Sequence, residues 1–527
     1  MTRPHLHALG LLMKTEANVD LLVIGGGVNG AGIARDAAGR GLKAMLCEQG
    51  DLASATSAAS SKLIHGGLRY LEYYKFCFVR EALREREALL GIAPHLVWPA
   101  RFILPHDKGL RPAFVIEAGL FLYDWLAPRK SLDRSRRIDL RTAKEGAPLK
   151  EQFTTGFAYS DCRVDDTRLV VLNAVDAREH GASIRTRTRC VSARRQADLW
   201  QATLLDLRHA TSMTVTARSL VNAAGPWVAE VLGSVSGRDT GKKLRLVRGS
   251  HIIVPRLYEG EQSYVLQNED RRIIFVMPYE TDFSLIGTTE ISFAGDPLTA
   301  HINAEEISYL CAAVSRYFRK SLCPGDVVES FSGVRPLYDD GAKNASAATR
   351  DYVLDLDAPP GQAPLLSVFG GKITTYRRLA EDVIEKLAPL LQPPRGKPWT
   401  AAAPLPGGEM QGGDFDRFLS ALKTKYPWLD AATATRLARG YGTRTEVILG
   451  KARSAGDLGA GFGAGLFQAE IDYLIDQEFA FTAKDILWRR SKLLLHMSSE
   501  QITNVTAYVD ARAKCQTRTA PDSTRSL

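Results

Sequence analysis

The chain has 527 residues, 45% hydrophobic and 24% charged, with a formal net charge of +9. That length exceeds one hydrophobic core and calls for two or three domains of ordinary globular composition. No run of about 18 apolar residues occurs, which excludes a helix that spans a bilayer.

Residues 1–17 hold His5, His7 and only a brief apolar patch, a poor secretory signal. They are expected to form a flexible extension, with Met13 as a second start and the first twelve residues dispensable. Next comes Asp20-Leu-Leu-Val-Ile-Gly25-Gly-Gly27-Val-Asn29-Gly30-Ala-Gly32. Residues 21–24 have strand character, 31–38 read as a helix, and 43–48 as a second strand ending in an acid. This β-α-β setting turns G-x-G-x-x-G into a dinucleotide site. Gly25 makes the tight turn, Gly27 lets backbone approach a pyrophosphate, and Gly30 lets helix pack on strand. Asn29 lies in the first helical turn, whose free N–H groups and positive dipole end suit phosphate. Glu48 is placed to accept hydrogen bonds from a ribose. A Gly-rich loop with no ligand is the bland alternative, disfavoured by strand, helix and acid together.

Small and hydroxylated residues follow at 54–61, including Thr56, Ser57 and Ser61, then Lys62, Leu63, His65, Gly66 and Gly67. They suggest a loop against which a flat cofactor or phosphate lies. Residues 72–90 read as a helix. The most apolar segment, 112–127, carries Glu117 and Asp124; a buried core helix is preferred there to a surface-lying membrane helix. Arg129, Lys130, Arg134, Arg136, Arg137, Arg141 and Lys144 crowd one stretch, and Arg185, Arg187 and Arg189 alternate as if on one strand face. Such charge suits an anionic membrane surface or nucleic acid, although a solvated basic face is commoner. With no accompanying motif, nucleic acid is set aside.

Residues 219–227 form a strand entering a Gly-Pro turn with Ala224 and Gly225. Alternating stretches at 250–254, 272–276 and 283–289 read as an antiparallel sheet. Residues 365–377 give another strand, a Gly-Gly turn and a helix start, with Gly371, Lys372, Ile373 and Thr374 at a second anion-friendly terminus. A Pro- and Gly-rich linker spans 392–408. Helical spacing continues through a C-terminal domain at 396–514, and 515–527 reads as a disordered tail. Seven scattered cysteines without C-x-x-C point to a reducing compartment, away from a disulfide framework or a metal site.

The order of several motifs carries a resemblance. Ser60-Ser61-Lys62-Leu63-Ile-His65-Gly66-Gly67-Leu-Arg69-Tyr70, Tyr159-Ser-Asp161-Cys-Arg-Val-Asp165-Asp166, Val221-Asn-Ala-Ala-Gly-Pro-Trp227, Gly249-Ser-His251 and Gly287-Thr288-Thr289 come first. Ser332-Gly-Val-Arg335-Pro336, Thr349-Arg350-Asp351-Tyr352, Phe369-Gly-Gly-Lys372-Ile-Thr-Thr-Tyr376 and Leu487-Trp488-Arg489-Arg490 follow. From about residue 20 to 508, the chain resembles the respiratory FAD-dependent glycerol-3-phosphate dehydrogenases. Its departures are the N-terminal extension and the polar tail, neither at a site. The resemblance implies an α/β, amino-acid-oxidase-like fold. A Rossmann-type FAD-binding domain is interleaved with a mixed or antiparallel-sheet substrate domain over 18–395, followed by an all-helical C-terminal domain. It also implies oxidation of sn-glycerol 3-phosphate to dihydroxyacetone phosphate, with hydride passing from C2 to flavin N5 and electrons to ubiquinone. The enzyme would be peripheral, on an anionic membrane surface at the cytoplasmic face of the inner membrane, with a homodimer as an allowed assembly.

A phosphate dianion with a secondary alcohol needs cations, a base and a nearby flavin. Arg335 and Arg69 are first choices for the phosphate, because guanidinium forks match its oxygens bidentately. Tyr70, Thr288, Arg350 and Lys372 complete the substrate set by resemblance. Surface ion pairing is the alternative for any single arginine. His251 is the candidate base, with Lys372 the rival if neighbouring arginines lower its pKa; both join Arg335 in the catalytic set. His65 is expected to pack near the flavin. Two other readings stay open: an oxidase of an amino acid or hydroxy acid, and a flavin-binding protein without turnover that uses its basic face.

Overall fold

The computed structural model describes residues 14–519 except 108, 110, 131, 238–243, 271, 339–350 and 392–395. The strand Lys14–Ile24 lies in the middle of an eight-stranded sheet, parallel to Ala44–Cys47 on one side and Thr211–Asn222 on the other. Ser183–Arg185 and Leu365–Phe369 extend it in parallel, and Val353–Asp357 closes one edge antiparallel. Leu21, Leu22 and Val23 are fully buried because both faces of this sheet are covered. Leu21 and Val23 pack under the helices Val28–Gly39, Asp166–Glu179 and Tyr376–Leu387. Leu22 and Ile24 meet the opposite layer, where the hairpin Thr188–Gln196 and Leu199–Asp206 supplies Trp200.

The second sheet is ten-stranded and mixed. Its pairing of Ser263–Gln267 with Val97–Pro105 is parallel, and the other pairings are antiparallel. The chain crosses between the sheets repeatedly, so the two layers form one interleaved body. The helix Ala304–Tyr317 covers the second sheet.

The C-terminal domain has its own core, built from helices such as Phe415–Lys425, Ala431–Tyr441 and Gln468–Gln477. It also holds a two-stranded ribbon, Gly461–Gly463 with Leu466–Phe467, so it is not purely helical. Both expected chain ends are shorter than read. Backbone pairing starts at Lys14, and the last helix, Ser499–Thr519, takes in 515–519. The alternating arginines do not share a face. Arg185 ends one strand, Arg187 turns with φ 51°, and Arg189 sits in the next strand.

Candidate cofactor and substrate site

Two glycine turns and one loop converge beyond the ends of the parallel strands. Gly25 has φ +113°, and a Cβ there would lie 2.5 Å from the Ala223 carbonyl oxygen. A Cβ on Gly30 would lie 1.9 Å from the Gly25 carbonyl oxygen, so helix and turn touch backbone to backbone. Gly27 meets only the Ser57 hydroxyl, at 3.2 Å, which leaves room at the helix N-terminus. Ser57 Oγ accepts the Val28 N–H at 3.0 Å.

Glu48 accepts the Gly26 N–H on Oε2 at 2.6 Å and the Gly50 N–H on Oε1 at 2.7 Å. Burial raises its carboxyl pKa and these two donors oppose the rise. Each oxygen retains a second lone pair for a ribose hydroxyl. Asn29 links the two turns by donating from Nδ2 to the Gly370 carbonyl at 3.2 Å. Its Oδ1 is buried with no hydrogen-bond partner among the described residues.

The loop between the turns is held from behind. Thr56 donates to the Val334 carbonyl at 2.7 Å. Lys62 is buried, and its ammonium binds Asp166 at 2.8 and 3.0 Å. That ammonium therefore pins the loop, and only the Lys62 backbone is left to meet a cofactor. His65 N–H donates to Thr374 Oγ1 at 3.2 Å, and Gly66 N–H donates to Tyr123 OH at 2.8 Å. Tyr123 donates in turn to Asp161, which also binds Arg86 at 2.7 Å. Leu63 is buried, with one side facing the opening between the turns. Ile373 and Thr374 form a short turn before the helix Tyr376–Leu387. Ala224 N–H donates to Asn222 Oδ1 at 3.3 Å, and Gly225 takes φ +56°.

Gly27, Asn29, Ser57, His65, Gly371 and Thr374 help to bound a cavity of about 1390 Å³, beyond the roughly 300–1,000 Å³ usual for one drug-sized ligand, whereas Glu48, Lys62, Gly66 and Ala224 are not among its lining residues. Arg69, Tyr70, Thr288, Arg335 and Lys372 line it. Arg335 Nη2 donates to Thr288 Oγ1 at 3.1 Å. Lys372 Nζ lies 3.9 Å from the ring centres of both Tyr70 and Phe78, a cation–π cage. Arg350 lies outside the described residues.

His251 departs from its expected place. It is fully buried, stacked on Phe331 at 5.0 Å, with Nε2 3.0 Å from Ser61 Oγ. The cavity wall there is Ser61, with the imidazole behind it. Burial first, then the charges of Arg335 and Lys62, push the His251 pKa well below 6.5. Its surroundings therefore favour the neutral ring.

Two residues escaped the sequence reading. Phe78 completes the lysine cage from the helix Phe76–Ile92. Glu306 accepts from Ser250 at 2.9 Å, Thr289 at 2.6 Å and Arg248 at 2.6 Å, and Ser250 also meets Ser332 at 2.9 Å. One carboxylate thus gathers three of the motifs. Its only local signal is the capping box that it forms with Asn303.

The reading of 112–127 as a core helix is overturned. In Ala113–Trp125 only Leu120 and Tyr123 are buried, while Phe114, Phe121 and Trp125 are 70%, 66% and 57% exposed. The helix is apolar on more sides than the sheet can cover. Beside it Tyr74 is 80% exposed, and the cavity wall runs out to Tyr74 and Leu122. Arg134 lies 4.6 Å over the Trp125 ring.

Residues 20–377 match the family described as FAD dependent oxidoreductase, and 399–515 match the C-terminal domain of alpha-glycerophosphate oxidase. Over 492 residues the chain is 53% identical to the glycerol-3-phosphate dehydrogenase of Pseudomonas aeruginosa, covering 93% of this chain and 95% of that one. The chain belongs to the FAD-dependent glycerol-3-phosphate dehydrogenase family. It is also 52% identical to the D-erythritol 1-phosphate dehydrogenase of Brucella abortus, across 93% of this chain and 97% of that one. A solved glycerol-3-phosphate dehydrogenase from Bacillus halodurans, complexed with FAD, matches with a TM-score of 0.73 at 28% identity, covering 95% of each chain. The chain is therefore an FAD-dependent oxidoreductase with the expected flavoprotein fold. The residues present fit FAD. The open Gly27 turn suits its pyrophosphate, Glu48 its ribose, and the buried Asn29 Oδ1 leaves an acceptor unmet.

Proposed function

We propose that the protein oxidises sn-glycerol 3-phosphate to dihydroxyacetone phosphate, with membrane ubiquinone as electron acceptor. The observation that carries this reading is one cavity lined by Arg69, Arg335 and Lys372 beside the two glycine turns. Three cations suit a phosphate dianion, whereas an amino-acid carboxylate needs one arginine. The bound flavin supplies the hydride acceptor.

The chain's own residues bind, orient and deprotonate. Arg335, anchored on Thr288, presents a fork to phosphate oxygens. An aromatic cage favours a cation, which suits Lys372 to phosphate recognition rather than proton abstraction. Ser61 takes the proton of the substrate hydroxyl and hands its own to His251 Nε2, kept neutral by burial.

Membrane docking joins modest apolar insertion to charge attraction. Phe114, Phe121 and Trp125 supply the first, and exposed Arg134, Arg136 and Arg137 the second. Among the described residues no helix is long and apolar enough to cross a membrane, so attachment rests on this face. A quinone held in the bilayer would meet the protein where the cavity wall reaches that rim.

An anaerobic titration followed by flavin absorbance tests the reading. Glycerol 3-phosphate should bleach the flavin, and glycerol and alanine should not. Stronger bleaching by D-erythritol 1-phosphate would move the substrate to the four-carbon phosphate. Bleaching by alanine would make the protein an amino-acid oxidase, and bleaching by none of them a flavoprotein without this turnover.

A further inference from the structure

We propose that Asp51, Arg489 and Arg490 are positioning residues for the ribose-binding acid, so that the C-terminal domain forms part of the FAD site. This rests on the reading of Glu48 as the ribose ligand. The Glu48 carboxylate is clasped by the N–H groups of Gly26 and Gly50, and Asp51 is the next residue on that turn. Asp51 is 2% exposed and points away from the cavity into the domain boundary. Arg490 grips it with both terminal nitrogens, at 2.7 and 2.8 Å, and Arg489 Nε reaches it at 2.5 Å.

The same cluster holds the other side of the turn. Arg187 N–H donates to the Gly50 carbonyl at 2.9 Å, and Thr188 N–H donates to the Glu48 carbonyl at 2.8 Å. The Arg187 guanidinium lies 3.4 Å from Asp51 and 2.7 Å from Asp485 of the C-terminal domain. Arg489 also bonds Asp485, and Arg490 donates to the Glu478 carbonyl at 2.9 Å. Three guanidiniums thus face two aspartates, and Glu48 is the third carboxylate near them. A buried ion cluster of this kind gives little net stability over apolar packing. What it supplies is direction: Arg187, Arg489 and Arg490 each reach Asp51 on the 48–51 turn and are braced in turn by Asp485 or the Glu478 carbonyl. The motif Leu487-Trp488-Arg489-Arg490 acquires a cofactor role without touching the cofactor.

The test uses the full-length chain stripped of flavin, retitrated with FAD by fluorescence quenching, with melting of each apoprotein in parallel. Glu48→Gln, Asp51→Asn and Arg490→Lys should each weaken FAD binding by roughly tenfold or more, as expected for a disturbed charge-assisted contact. Arg490→Lys keeps the charge and loses the fork, so it reads geometry. Arg444→Ala is the control. Its ion pair with Glu179, at 2.6 Å, joins the same two domains away from the turn, and FAD affinity should stay within about twofold. A weakened Glu48→Gln beside Asp51→Asn and Arg490→Lys at parental affinity would overturn the positioning role alone. Parental affinity in Glu48→Gln would overturn the Glu48 reading and this inference together. Equal loosening by Arg444→Ala would reduce the effect to general domain docking and also overturn it. Should Asp51→Asn fail to fold, Arg490→Lys and Arg489→Lys decide.

Discussion

Ser61 stands between the cavity and His251, with its Oγ 3.0 Å from the imidazole Nε2. In the proposed reaction, His251 exchanges protons with the cavity through that hydroxyl. Its lowered pKa sets the sign of the pH dependence: burial and the nearby Arg335 and Lys62 charges keep the ring unprotonated until acidic pH, and they also make it a weaker proton acceptor than free imidazole. Parental kcat should therefore be flat through about pH 6.5 and fall only at more acidic pH. Ser61→Ala and His251→Asn should each lower kcat by about a hundredfold or more at equal flavin content. An unchanged profile in His251→Asn would pass the role to Lys372 or solvent.

If Arg335 holds the phosphate as proposed, Arg335→Met should cost about 3 kcal/mol in kcat/KM for glycerol 3-phosphate through the loss of a bidentate charged contact. Slow turnover of glycerol should barely change. Equal losses on both substrates would place Arg335 in the chemistry or in folding.

Gly30→Val should yield protein without flavin, because even a Cβ there falls 1.9 Å from the Gly25 oxygen. Glu48→Ala should retain flavin poorly. The absorbance ratio at flavin and protein wavelengths measures both, and a yellow, stoichiometric Gly30→Val protein would displace the nucleotide site.

Asp51 carries a second pH signature. The guanidiniums of Arg490 and Arg489 overcome its burial and hold its carboxyl at about 2. A folded pKa below the unfolded value of about 3.9 gives stability that is present above about pH 4 and lost as pH falls towards 2. The contribution is about 2 kcal/mol. Urea unfolding of parent and Asp51→Asn should differ at neutral pH and converge across that acid window; a constant difference would remove Asp51 from acid lability.

Binding to anionic vesicles should weaken with salt, because surface attraction is screened within about 10 Å at 0.1 M. Phe121→Ser with Trp125→Ser should lower vesicle affinity by about tenfold at fixed salt, while activity with a soluble dye persists. Sedimentation with vesicles measures the first and a dye assay the second. Equal binding by parent and double variant would move the docking face elsewhere.

The parts legible in the sequence were those whose physics is local. The Gly25–Gly30 turn, its helix and Glu48 lie within one short stretch, and Gly25 and Gly30 meet the close backbone contacts that their spacing demanded. The depth of His251 was not legible, because it depends on Phe331, which pairs with it from a distant strand. Phe78 and Glu306 act across similar separations, and nothing nearby marks their reach. The helix Ala113–Trp125 misled for another reason. Apolar content reports what a segment prefers, while the neighbours available to cover it are a property of the whole fold.

Three parallel strands around Lys14–Ile24, two beside it and one beyond Thr211–Asn222, arrive at very different times during synthesis. Ala44–Cys47 is made at once, Thr211–Asn222 much later, and Leu365–Phe369 later still. A ribosome adding roughly 5–20 residues per second needs on the order of 20–75 seconds to reach Phe369. Until then the glycine turn at Gly25 lacks the Ala223 carbonyl or the Gly370 turn that frames it, and a nascent chain has no complete place for FAD. Flavin capture is thus a late step for every copy, and a premature stop ahead of residue 370 leaves an apolar sheet edge exposed in place of a smaller enzyme.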